Sequence, residues 1–197
     1  MNAALRVLRS SRQNSATGCG DNSRYWVTWS IVRVETDAPG PLPSPPFATL
    51  TASHTGKCLD VSAISKDNGA EMVQWDCSGG GNQKWKIEEA GGGLVTLRAS
   101  HSGKCLDVSG ISRDNAASIV QWECWGGDNQ KWRVENAGGG LFTLKAAHSG
   151  KCLDVAGGGR ENGTRVIQWD CWGGDNQKWR IDGMNATQAV RPSGQSR

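Results

Sequence analysis

Three sets of side chains recur at a fixed spacing: Asp60, Trp75 and Asn82; Asp107, Trp122 and Asn129; Asp154, Trp169 and Asn176. Each set joins a carboxylate, an indole and a carboxamide. A carboxylate takes charge-assisted hydrogen bonds from two hydroxyls, an indole offers an apolar plate, and a carboxamide both donates and accepts. Such a set suits a sugar, which carries vicinal hydroxyls on its edge and C–H groups on one face. A second chemistry is open to the same stretches, because His54, Cys58 and Cys77 are candidate zinc ligands in each unit. No Cys-x-x-Cys and no fourth ligand at structural spacing accompany them, so a metal site is disfavoured.

What positions these residues is a repeat. His54, His101 and His148 lie 47 residues apart, and so do the Cys-Leu-Asp-Val runs at Cys58, Cys105 and Cys152. Each unit ends in Asn-Gln-Lys-Trp, with the indoles at Trp85, Trp132 and Trp179. A triple glycine follows in the first two units, Gly91 to Gly93 and Gly138 to Gly140. Short apolar or alternating runs bounded by Gly, Asn, Asp and Ser read as strands, four to a unit. In the first unit they are Phe47 to Ala52, Lys57 to Val61, Met72 to Asp76 and Gln83 to Glu88. Three units predict twelve strands and an all-β fold. Helical repeats of similar period need long periodic stretches that these units lack.

Three copies of Cys-Leu-Asp-Val, Trp-acid-Cys and Gln-x-Trp resemble the ricin-type lectins, the family of the ricin B chain. The resemblance covers Phe47 to about Gly183. It implies a β-trefoil and carbohydrate binding, and it adds Gln83, Gln130 and Gln177 to the sugar sites, where they could equally brace the fold. In many members a Gln stands two residues before the aromatic; here Val73, Val120 and Ile167 stand there, while Gln74, Gln121 and Gln168 have moved one place on. Strand alternation turns those three away from the site. The identity of the sugar is left open between galactose-type and xylan-type.

Six of the seven cysteines fall into pairs 19 residues apart, Cys58 with Cys77, Cys105 with Cys124 and Cys152 with Cys171, and Cys19 is left over. Disulfides within each repeat are expected, with buried free thiols as the alternative. If the paired cysteines sit opposite one another in a hairpin, Asp60 and Trp75 also become direct cross-strand neighbours. The acids read as surface residues, whose loss should leave the melting temperature almost unchanged. Trp85, Trp132 and Trp179 read as core, since a chain with 10 Trp but 2 Phe and 1 Tyr must draw bulk from its indoles. Trp125 and Trp172 follow the second cysteine where the first unit has Ser78, and would widen two sites out of three.

In a chain of 197 residues this leaves one domain with flanks. The expected boundaries are a leader at 1–38, a linker at 39–46 that holds five of the six prolines, and repeats at 47–93, 94–140 and 141–183. A solvated tail at 184–197 completes the chain. The strand-like stretch Tyr25 to Val34 leaves the leader as either the end of a neighbouring domain or a disordered segment. Residues 47–190 carry 15 basic and 16 acidic side chains, so the net charge of +3 belongs to the ends. That alternation disfavours nucleic acid, which needs clustered Lys and Arg. No apolar run reaches membrane-span length, and Arg6 and Arg9 interrupt any standard signal peptide. Disulfides nonetheless point to an extracellular protein.

Everything chemically notable occurs three times, whereas catalysis needs an asymmetric constellation. The expected function is therefore a monomeric, calcium-independent, non-enzymatic sugar-binding module with no cofactor or metal. The alternatives are the C-terminal targeting module of a truncated extracellular glycoside hydrolase, or a protein-interaction trefoil such as a protease inhibitor.

Overall fold

A computed structural model of the chain describes residues 47–185. The expected leader, linker and Cys19, and the tail beyond residue 185, lie outside the described residues. Among the described residues twelve short strands are present, four per repeat. The first repeat holds β1 (Leu50–Ala52), β2 (Cys58–Val61), β3 (Met72–Trp75) and β4 (Trp85–Gly91). The second holds β5 (Leu94–Ala99), β6 (Cys105–Val108), β7 (Ile119–Trp122) and β8 (Trp132–Gly138). The third holds β9 (Leu141–Ala146), β10 (Cys152–Val155), β11 (Val166–Trp169) and β12 (Trp179–Ile181).

Six strands close a ring of antiparallel pairs: β4 with β5, β5 with β8, β8 with β9, β9 with β12, and β12 with β1. The bridge between Ala48 and Trp85 completes it. Closure leaves no barrel edge to pair with another chain. The remaining strands form the hairpins β2–β3, β6–β7 and β10–β11. Bridges Glu71 to Val120, Val73 to Arg165 and Ser118 to Ile167 link the three hairpins to one another. This is a β-trefoil. Its long hairpins turn at Gly91 to Gly93 and Gly138 to Gly140, all six at positive φ, where a side chain would be strained.

The core answers the alternation of the barrel strands: β5 and β9 bury every second residue. Trp85, Trp132 and Trp179 are fully buried and are its largest side chains, joined by Phe142, Leu50, Leu97 and Leu144. Burying an indole leaves one N–H to satisfy. Each Nε1 donates to a backbone carbonyl of its own repeat, Leu59 at 3.2 Å, Leu106 at 3.1 Å and Leu153 at 3.1 Å. At the start of the expected solvated tail, Met184 packs against this core.

All three expected disulfides form, each with a Cα–Cα distance of 5.2 Å. The hairpin register, however, differs from the expected one. Cys58 pairs with Trp75 and Asp60 with Val73, a shift of two residues that recurs in the other hairpins. The cause lies just past Trp75. The Asp76 N–H donates to Asn162 Oδ1 at 3.0 Å, and its carbonyl accepts from Gln83 Nε2 at 2.9 Å. With its backbone groups engaged by side chains, Asp76 leaves the ladder, and Cys77 reaches Cys58 from beyond the strand end. A shift of two preserves which face each residue takes, so Asp60 and Trp75 share a face as diagonal neighbours.

Each disulfide closes a 19-residue separation, for which the chain-entropy account gives a stabilisation of about 3 kcal/mol. A Cys105→Ser, Cys124→Ser double variant is expected to melt roughly 6–12 °C lower at this size. Differential scanning calorimetry checks the shift, and peptide mapping without reductant checks the three links.

Candidate functional site

In each repeat β2, β6 or β10 delivers the acid from its third position, and β3, β7 or β11 ends on the aromatic. A 3₁₀ turn at Gly81–Gln83, Asp128–Gln130 or Asp175–Gln177 then brings up the two carboxamides. The acids lie at the bottom: Asp60, Asp107 and Asp154 are 5%, 4% and 3% exposed. Trp75, Trp122 and Trp169 stand open above them at 47%, 44% and 40%. A buried acceptor beneath an accessible indole is what a shallow polyol site requires.

Burial of the acids corrects the expectation that they are surface residues. Asp60 Oδ2 accepts from Asn82 Nδ2 at 2.9 Å and from Gln83 Nε2 at 2.7 Å. In the second repeat Asn129 donates to Asp107 Oδ1 at 3.0 Å and Gln130 to Oδ2 at 2.8 Å. The third repeat matches it, with Asn176 on Asp154 Oδ1 at 3.0 Å and Gln177 on Oδ2 at 2.8 Å. Truncating an acid would strand two buried donors, and each unpaired group costs about 1–3 kcal/mol. Desolvation raises the pKa of all three acids, and the bonds from Gln and Asn oppose that rise, joined by the Trp125 indole at Asp107 and the Trp172 indole at Asp154.

Gln83, Gln130 and Gln177 sit behind the acids with their hydrogen bonds spent inside the protein. Gln83 Oε1 accepts from the N–H of Ser78 at 2.7 Å and of Gly79 at 3.3 Å, while its Nε2 holds Asp60 and the Asp76 carbonyl. Gln130 and Gln177 repeat the pattern on Trp125 and Trp172. These residues position the acid and the loop after the second cysteine. Asn82, Asn129 and Asn176 lie beside the acids, and the Oδ1 of Asn129 is buried without a partner.

Sequence reasoning left roles open that geometry fills. Gln74, turned away from the site as expected, donates to the carbonyls of Gly159 at 2.8 Å and Glu161 at 3.1 Å in another repeat. Gln121 and Gln168 do the same at Ser65 and Ser112, both 2.8 Å. The histidines reach the same carbonyls, His54 to Gly159 at 3.0 Å, His101 to Ser65 and His148 to Ser112, both 2.8 Å. A carbonyl only accepts, so Nε2 carries the proton in each. The loop after each acid is thus pinned from a neighbouring repeat.

An open cleft of about 350 Å³ lies at the third site, lined by Asp154, Gly157, Gly158, Ile167, Trp169 and Trp172 together with Asn176. Trp172 is 66% exposed and Trp125 57%, so a second indole flanks two of the sites and Ser78 leaves the first without one. Among the described residues no group of three or more His, Cys, Asp or Glu could hold a metal ion.

Comparison with known proteins sets this geometry in a family. The profile described as ricin-type beta-trefoil lectin domain matches residues 46–179 and, overlapping, 140–195. The designed 3-fold symmetric protein ThreeFoil is 45% identical with a TM-score of 0.68, over 69% of this chain and 97% of its own. The exo-beta-1,3-galactanase 1,3Gal43A from Clostridium thermocellum is 34% identical with a TM-score of 0.68. The match takes in 72% of this chain but 31% of the galactanase. The Rhizoctonia solani agglutinin is 26% identical with a TM-score of 0.64, over 72% and 98% of the two chains. With three disulfide-tied repeats, Gln-x-Trp indoles at the centre and a profile match over most of its length, the chain belongs to the ricin-type beta-trefoil lectin domain family.

Proposed function

We propose that the chain is a calcium-independent, non-catalytic carbohydrate-binding module with three sugar sites built on Asp60, Asp107 and Asp154. The observation that carries this reading is the exposed indole over a buried, carboxamide-flanked acid, repeated three times. In each site one carboxylate already anchored by protein donors serves the ligand directly, with no cation between. Each site is shallow, so a single sugar binds in roughly the high-micromolar to millimolar range, and a surface bearing many glycans is held more tightly through linked engagement. The module acts as a monomer outside the cell, where its three disulfides persist. Among the described residues no helix is long and apolar enough to cross a membrane.

A second reading, a targeting module attached to a glycoside hydrolase, draws support from the galactanase, of which the matched part is a minor share. The same name makes galactose-containing glycans the first ligands to try. Binding to a protein through one loop, as an inhibitor would, does not account for three retained sets.

A glycan array at neutral pH, repeated at falling pH, tests the proposal. Galactose-containing or xylan-type glycans are expected to score at neutral pH. Protonation removes the charged acceptor, so binding should fade as pH drops through the raised pKa of the three acids. Their contribution to stability has the opposite sign. The folded acids hold protons over a window, from the unfolded pKa up to the raised folded one, in which the unfolded acids have released them. Stability from these groups therefore rises on acidification through that window, and sugar is released from a folded protein. A folded protein that binds no glycan at any pH would overturn the reading.

A further inference from the structure

Beyond the Ser78, Trp125 and Trp172 position, the three sites differ at two adjacent positions in the loop after the acid. The residue two places before the pinned serine or glycine is Ala63, Gly110 or Gly157, and the next is Ile64, Ile111 or Gly158. All six have left-handed backbone, with φ between 55° and 64°. Glycine accepts that conformation freely, but a β-branched residue is an outlier there. Outliers of this kind persist where the surroundings over-determine them, and they concentrate at ligand sites. Here the carbonyl after Ile64 is fixed by His101 and Gln121, and the carbonyl after Ile111 by His148 and Gln168.

Neither isoleucine is held by packing, since Ile64 is 64% and Ile111 53% exposed. A Cβ placed on Gly158 meets no atom within 4 Å, so a side chain there would project into open space at the cleft wall.

Resting on the carbohydrate reading, we propose that the third site takes a sugar inside a chain and the other two take single terminal units. In the third site the Trp169 and Trp172 indoles flank one unit over Asp154, and the next unit runs out across Gly157 and Gly158. Ile111 and Ile64 stand in that exit path in the second and first sites. The residue at 64, 111 and 158 therefore sets ligand length.

The test titrates the full chain with galactose, β-1,3-galactotriose, xylose and xylotriose. Indole N–H resonances of Trp169 and Trp172 report the third site, and those of Trp122 and Trp125 the second. A trisaccharide should bind the third site at least about 10-fold more tightly than its monosaccharide and the second site no more tightly. Gly158→Ile should abolish the preference at the third site and leave monosaccharide binding in place; the two natural isoleucines show that the loop accepts the residue. Ile111→Gly should create the preference at the second site. If either variant leaves the length preference of its site unchanged, the proposal is overturned while the carbohydrate reading stands. If the wild type binds none of the four sugars, the length proposal falls, and the carbohydrate reading is decided by the glycan array.

Discussion

Replacing Asp60, Asp107 and Asp154 together with Asn is expected to abolish measurable sugar binding in a protein that still folds. A charge-assisted hydrogen bond contributes about 1.5–3 kcal/mol, so losing the charge weakens each site by roughly 10- to 100-fold. Starting from high-micromolar or weaker affinity, each site passes beyond calorimetric detection. Asn is the informative substitution because Ala would strand the Asn and Gln donors that the acid now satisfies. In the first repeat Asp60 Oδ2 alone accepts both donors, so the single amide oxygen left by Asp60→Asn can replace it fully. In the other two the donors are split between Oδ1 and Oδ2, and an Asn there keeps one. The single variants should each remove one site from the stoichiometry, with Asp60→Asn costing the least stability. A triple variant that binds the best array glycan with wild-type affinity would show that the sites lie elsewhere, with Trp125 and Trp172 next to examine.

Most of this architecture was legible because repetition multiplies weak signals. One Gln-x-Trp says little, but three at a fixed period, each with paired cysteines, specify the trefoil, the disulfides and the buried indoles. The shared face of Asp60 and Trp75 was legible for a different reason, since strand alternation depends on parity and tolerates a register error of two. The register itself was not legible. It depends on where β3 leaves its ladder, and that is decided by Asn162, 86 residues away in sequence, together with Gln83. Burial of the acids was hidden for a related reason: Cys-Leu-Asp-Val reads as an alternating strand with an outward Asp, yet all four residues are buried. The outward face is covered by the 3₁₀ turn carrying Asn82 and Gln83. The left-handed Ile64 and Ile111 left no mark in the sequence, because nothing in a Ser-Ala-Ile or Ser-Gly-Ile run announces positive φ.

The three Gln-x-Trp indoles carry the largest single-residue effect on stability. Trp132→Ala is expected to cost about 3–5 kcal/mol, the range for emptying a packed site of its largest side chain. The position shows why relaxation cannot refill it. Trp132 is fully buried, its backbone pairs with Ala146 on β9 and Val95 on β5, and its indole donates to the Leu106 carbonyl at 3.1 Å. It therefore ties the barrel to the hairpin that carries the second site. Domains of this kind hold about 5–15 kcal/mol in total, so the variant should melt roughly 6–20 °C lower and lose binding at the second site first. Trp132→Phe separates bulk from hydrogen bonding: it keeps most of the volume but strands the Leu106 carbonyl, at about 1–3 kcal/mol. Trp125→Ala is the comparison, an exposed indole of the same repeat whose loss removes one hydrogen bond to the Asp107 carboxylate, and should cost at most about 1.5–3 kcal/mol, less than Trp132→Ala. Melting curves for the three variants check the ranking; equal shifts for Trp132→Ala and Trp125→Ala would mean that the central indole is not what holds the repeats together.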